Sequence, residues 1–221
     1  MSFTARDVLE RASVMLTDTK HVRWPLDELR IWLNDAQRQI VLQKPNALEI
    51  TETLAMQAGS YQQLPAGTTA LIRTIRNTVS GTKITPIDRQ LLDATVPGWH
   101  EGTETVDVVH VMQDQADPSA FWVYPPNTGA GQIEAIVGKL APDVPRPSTR
   151  PDVLASYEIY VMPFIDLYMG PMVDFLMFRA LNKDIHIPAA AARAQAHYQS
   201  FATALGIKLQ TETVATVNSG G

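Results

Sequence analysis

The residues able to do chemistry in this 221-residue chain are few and scattered. There is no Cys, which removes a thiol nucleophile, a Cys-ligated zinc and a disulfide framework. His21, His100, His110, His186 and His197 each lack a second His at ligand spacing. Lone histidines of this kind are structural or solvated far more often than metal-bound. Neither a GxSxG elbow nor an HExxH helix is present. Gly81-Thr82-Lys83 lacks the upstream Gly and the following Ser or Thr of a phosphate loop and reads as a hairpin turn.

Two acid sets are tested in the same way. Glu101 and Glu104 share the segment Gly98–Glu104 with His100, but adjacency shows no convergence on a substrate, and a solvated loop is expected. Asp166 and Asp174, eight residues apart, would lie near one face of a helix about two turns apart. They could face a metal, but the favoured expectation is pairing with Arg or Lys of a neighbouring helix or subunit. Arg179 and Lys183 continue the same segment, where cations suit the helix C-terminus. Phe121-Trp122-Val123-Tyr124-Pro125-Pro126 reads as a strand ending in a rigid turn, with both faces covered. Met162, Met169, Met172 and Met177 read as core filler. No catalytic, cofactor-binding or metal site is therefore expected.

The elements that would hold these residues belong to an ordinary globular chain. Apolar residues make up 45%, charged residues 19%, and the net charge is −5, which excludes disorder and argues against a general nucleic-acid binder. The length suits one large domain or two small ones. The charged N-terminus lacks the apolar run of a signal peptide. The most apolar stretch, Ile159–Phe178, is broken by Pro163, Asp166, Gly170, Pro171 and Asp174, so a soluble protein with no membrane partner is expected.

Periodicity places helices near 4–17 and 25–43. The first is opened by a capping-box pattern at Thr4–Asp7 and the second by Pro25 as its first residue. From Ala47 short runs rich in Thr, Val, Ile, Gly and Pro predict strands at 48–56, 61–64, 70–76, 83–87, 106–112, 121–124 and 133–140. A short helix capped by Asp88 is expected at 89–94. Two further helices follow, one from near Pro163 to Lys183, kinked by Pro171, and one over 189–205 stopped by Gly206. The expected fold is α+β: a four-helix bundle made by both ends, with an inserted antiparallel β-sandwich or barrel-like domain. The expected divisions are 1–46, 47–147, 148–206 and a tail over 207–221. Residues 46–147 hold six basic and eleven acidic residues, so the net acidity belongs to the insert.

Several segments carry a family likeness. Arg23-Trp24-Pro25, Glu28-Leu29 and Trp32–Arg38 resemble the N-terminal helix of tailed-bacteriophage head-to-tail adaptor proteins, also called portal-tail connectors or head completion proteins. Tyr61–Pro65, Arg73, Arg76-Asn77, Leu92-Asp93, Pro97–His100 and Phe121–Pro126 are similar to the β portion of one such family. Tyr168, Asp174-Phe175, Phe178–Leu181, Lys183-Asp184, Tyr198, Phe201 and Leu205-Gly206 resemble its returning helices. The resemblance implies a structural virion protein without catalysis or cofactor. Such subunits form a closed ring, of about twelve copies, beneath the portal. The ring extends the DNA channel without sequence-specific DNA binding and presents a platform for tail, nozzle or tail-tube proteins. It also implies a C-terminal segment docking onto the portal, here Ile207, Lys208, Leu209, Val214 and Val217. Asp166, Asp174 and Arg179 remain candidate inter-helix or inter-subunit charge partners. A place at the head-tail junction of a virion, after synthesis in a bacterial cytoplasm, is expected. Alternatives are another connector part (stopper, tail terminator or tail tube protein) or, less favoured, a small metal-dependent hydrolase.

Overall fold

A computed structural model describes residues 2–114, 116–183 and 188–207. They form a mixed α+β protein with five α-helices and two sheets. Its contacts divide into two compact units, residues 1–36 with 144–221 and residues 37–143.

The first unit opens on helix α1 (Ala5–Met15), fixed by a reciprocal cap. The Asp7 backbone N–H donates to Thr4 Oγ1 while the Thr4 N–H donates to the Asp7 carboxylate at 2.7 Å, so two otherwise orphaned donors are satisfied. After α1, the Asp18 carboxylate accepts the backbone N–H groups of Val22, Arg23 and Trp24 and turns the chain toward α2 (Leu26–Gln43). Pro25 stands one residue outside α2, its carbonyl accepting from Glu28 and Leu29. Leu26, Leu29, Leu33 and Ala36 form the buried stripe that their spacing predicts.

Helix α4 (Met169–Asn182) is shorter than the expected 163–183 and is preceded by a 3-10 turn at Asp166–Tyr168. Pro171 is therefore the third residue of α4 rather than an interior one. The first-turn N–H groups have no intrahelical partner, so the expected kink has no cause. Nine of the fourteen residues of α4 are buried. It packs on α5 (Pro188–Ala204) through Phe175 against Phe201 at 5.2 Å and Phe178 against Tyr198 at 5.0 Å. Lys183 pairs with Glu28 at 2.8 Å and ties α4 to α2. The buried methionines, Met162, Met172 and Met177 among them, are core residues.

The second unit carries both sheets. β1 (Glu49–Ala55), β7 (Gln132–Lys139) and β3 (Thr68–Asn77) form an antiparallel sheet with β7 central. β2 (Ala58–Gln63), β6 (Ala120–Thr128), β5 (His110–Gln113) and the two-residue β4 (Thr85–Pro86) form the other. All seven predicted strands exist, but β4 and β5 run parallel, which corrects the expected all-antiparallel insert. A parallel pair needs a long crossover, and the segment bearing α3 (Arg89–Thr95) supplies it, with Asp88 capping the Gln90 N–H. Leu54, Leu71, Val111, Phe121, Val123 and Ile133, from both sheets, meet in one apolar cluster.

β6 does not end at Tyr124 as expected but continues through Pro125 and Pro126. Its pairing with β2 breaks between Gly59 and Tyr61, opposite this stretch, so the missing proline N–H groups cost no ladder bond. Phe121 and Val123 face the main cluster, while Trp122 and Tyr124 lie against Leu92, Trp99 and Met112, so both faces are covered.

Candidate functional site

The catalytic candidates resolve into local structural contacts. His21 Nδ1 lies 3.3 Å from Ser13 Oγ, His110 Nδ1 2.7 Å from Thr85 Oγ1, and His100 Nδ1 2.8 Å from Ser60 Oγ. Burial holds the His21 imidazole below its usual range, opposed by the Asp18 charge. Glu101 and Glu104 are exposed. Among the described residues, no group of three His, Asp or Glu side chains is placed to hold a metal ion. His186 lies outside those residues.

The predicted charge set is not gathered in one place. Asp166 is exposed in the 3-10 turn and does not share α4 with Asp174, because the helix begins later than expected. Asp174 on α4 lies 2.8 Å from His197 Nδ1 on α5, and Arg179 lies 3.5 Å from Asp35 on α2. Ile207 is half-buried, while Lys208, Leu209, Val214 and Val217 lie outside the described residues.

Two surfaces stand out instead. In the first unit the segment before α4 is pinned to the N-terminus: the Ala5 N–H donates to the Tyr160 carbonyl and the Met162 N–H to the Phe3 carbonyl. Met162 and Phe164 turn inward at 3% and 4% exposure. Ile159, Val161, Ile165 and Leu167 turn outward at 60–77%, with exposed Pro163 between them. A soluble chain rarely leaves an apolar row of this kind uncovered unless it meets a partner. The alternation is present in the sequence, but the expected helix from near Pro163 takes in only Ile165 and Leu167 of this row. A groove of about 530 Å³ runs between α1 and α4 in the same unit, lined by Val14, Met15, Met169 and Val173 with charged groups such as Arg11 at its rim.

In the second unit a cleft of about 660 Å³ is bounded by β3, β4, β5, α3 and Trp122 of β6. The Arg89 guanidinium lies over the Trp122 ring at 4.6 Å, and Tyr61 meets that ring edge-on at 4.9 Å. Trp99 stacks on His100 at 3.7 Å and donates its indole N–H to Asp93. Sequence reading missed this cleft because its walls come from segments far apart in the chain. Neither surface gathers an acid, a base and a nucleophile around one point.

No helix among the described residues is long and apolar enough to cross a membrane. A family model described as SU10 adaptor protein matches residues 3–220. No curated protein matches the chain.

Proposed function

The chain belongs to the SU10 adaptor protein family of bacteriophage head-to-tail adaptors, and from that membership we propose that it forms a ring beneath the portal. The ring contains about twelve copies related by closed symmetry, extends the DNA channel and offers the tail, nozzle or tail-tube proteins their platform. In this reading both ends of the chain form a four-helix bundle, residues 47–147 are an inserted sandwich-like domain, and the protein catalyses nothing. Synthesis takes place in the host cytoplasm, and the mature protein resides at the head-tail junction. The observation that carries the reading is the family match over nearly the whole chain. The apolar row Ile159–Leu167 and the α1/α4 groove support it, as surfaces on which copies or portal can close.

Ile207, Lys208, Leu209, Val214 and Val217 contact the portal in this proposal; Asp174 and Arg179 serve as inter-helix charge partners of His197 and Asp35, and exposed Asp166 contributes charge toward a neighbouring subunit. The seven basic and eleven acidic residues of 37–143 give that unit a negative balance. Where it faces the lumen, like charge keeps DNA from sticking during passage.

The test is to mix the purified chain with portal and image the product. An added ring under the portal is expected, and deletion of 207–221 should abolish it. A ring that forms on tail proteins but never on portal would instead indicate a stopper, terminator or tube role.

A further inference from the structure

In the first unit α1 and α4 pack together and run between two exposed surfaces. Both start at the apolar row: the Ala5 N–H of α1 donates to the Tyr160 carbonyl, and α4 begins two residues after Leu167. Both end at a pocket of about 510 Å³, which Met15 and Leu16 line from α1 and Leu181 from α4, with the start of α5 on its far side. Row and pocket therefore lie at opposite ends of the pair, separated by the length of α4, about 20 Å. Their chemistry is complementary. Ile165 and Leu167 of the row are 60% and 76% exposed, and the carboxylate of exposed Asp166 between them has no partner among the described residues. The pocket joins apolar Leu16, Trp24 and Leu181 to two cations, Arg23 and Arg193. Arg23 lies over the Trp24 ring at 4.8 Å, and exposed Arg193 makes no ion pair among the described residues. The one carboxylate lining the pocket, Asp18, already accepts three backbone N–H groups.

We infer that the row of one copy seats in the pocket of the next copy, with Ile165 and Leu167 on its apolar wall and Asp166 at Arg193. The inference rests on the ring reading above and names the contact that joins neighbouring subunits. Row against row would bring Asp166 toward Asp166, and pocket against pocket would set cation on cation. Only row against pocket pairs opposite charges. Surfaces at opposite ends of the same helices meet head to tail, and such a contact repeats from copy to copy until a ring closes. Docking also needs little ordering of the row. Met162 and Phe164 anchor it in the core, and the Met162 N–H is already bonded to the Phe3 carbonyl.

The test is crosslinking of the full chain, alone at high concentration and on portal. The chain has no Cys, so Val22→Cys in the pocket and Leu167→Cys in the row add its only thiols, at positions 81% and 76% exposed. A bismaleimide shorter than α4 cannot join them within one chain. The double variant should give a ladder of dimer, trimer and larger products on a denaturing gel, while each single variant stays monomeric. Asp166→Arg or Arg193→Asp added to the double variant should raise the concentration for half-maximal crosslinking about tenfold, and both together should restore it. Dimers from either single variant, or no recovery in the charge swap, would overturn the inference. A ring imaged on portal without a ladder, as when portal fills the pocket, would overturn the contact and leave the ring reading standing. A ladder with no ring on portal would support the contact and refute that reading, and the absence of both would overturn both.

Discussion

The side chain of Asn34 clasps the backbone of Val144 from both sides, donating to its carbonyl at 3.1 Å and accepting from its N–H at 2.9 Å. Arg30 adds a second donor to the same carbonyl at 3.0 Å. Asn77 holds Val108 in the same way in the other unit, with both bonds at 2.8 Å. In each case a residue outside the regular elements has its backbone N–H and carbonyl satisfied by one buried amide. Asn34 lies in the Trp32–Arg38 motif that carries the family likeness, so a structural clasp accounts for its place there.

Replacing Asn34 by Leu removes the donor and the acceptor together and strands a buried N–H. Unfolding in urea should show a loss of about 2–4 kcal/mol, most of it the desolvation of the backbone groups left behind. Asn77→Leu should cost a similar amount. A loss under about 0.5 kcal/mol in either variant would mean the clasp is replaceable by solvent.

Two glycines should respond in opposite directions. A Cβ added at Gly138 would sit 2.6 Å from the Pro45 carbonyl oxygen and 2.7 Å from Thr69 Oγ1, so Gly138→Ala should cost about 1–3 kcal/mol through overpacking. Gly170, in the first turn of α4, has nothing within 4 Å of such a Cβ. Gly170→Ala should stabilise by about 0.4–1 kcal/mol by narrowing the unfolded ensemble. Thermal unfolding of the two variants should shift the midpoint with opposite signs.

Stability should also depend on the 18–24 turn as the solution is acidified. The Trp24 backbone N–H, with those of Val22 and Arg23, holds the Asp18 carboxyl below its usual range. Burial holds the His21 imidazole below its own. Both folded-state values are depressed, so the unfolded chain binds more protons at these sites. Their contribution is present above the unfolded values and fades as pH falls through the folded ones. For His21 the loss should begin just below its ordinary value of about 6.5, and for Asp18 below about 3.9. Unfolding midpoints measured from neutral pH down to pH 5 should fall less steeply in His21→Gln than in the parent chain, and an unchanged slope would exclude His21 as the source.

The apolar row before α4 can be separated from the fold itself. Ile159→Ser with Leu167→Ser changes side chains that are 77% and 76% exposed, so unfolding should move by no more than about 0.5 kcal/mol per site. Assembly on portal should nonetheless be lost in pull-down and imaging. Wild-type assembly by this variant would show that the row is not an interface.

Most local elements were legible in the amino-acid pattern because their causes are local. The Thr4–Asp7 cap, the Asp88 cap and the Leu26–Leu29–Leu33–Ala36 stripe each depend on residues within a turn or two. The strands announced themselves by alternation and by turn residues such as Gly81 and Gly129, both at positive φ. Pro171 was misplaced because composition marks a proline but not its position within a helix, and that position depends on where α4 begins. Ile159–Leu167 shows the same limit. Its alternation suits an extended segment as well as the edge of a helix, and only the bonds to Phe3 and Ala5 choose between them.

By itself, then, the sequence determined the order of helices and strands, the absence of cysteine chemistry, the acidic balance of the middle segment and the family likeness. Tertiary structure alone decided which groups meet. It set Asp174 against His197 rather than against an Arg or Lys, made β4 and β5 parallel, and drew Arg73, Arg89 and Trp122 from separate strands and a helix around one cleft. The physical reason is range. Propensity, capping and periodicity act over a few residues, while a site is made by contacts between segments that chain spacing does not encode.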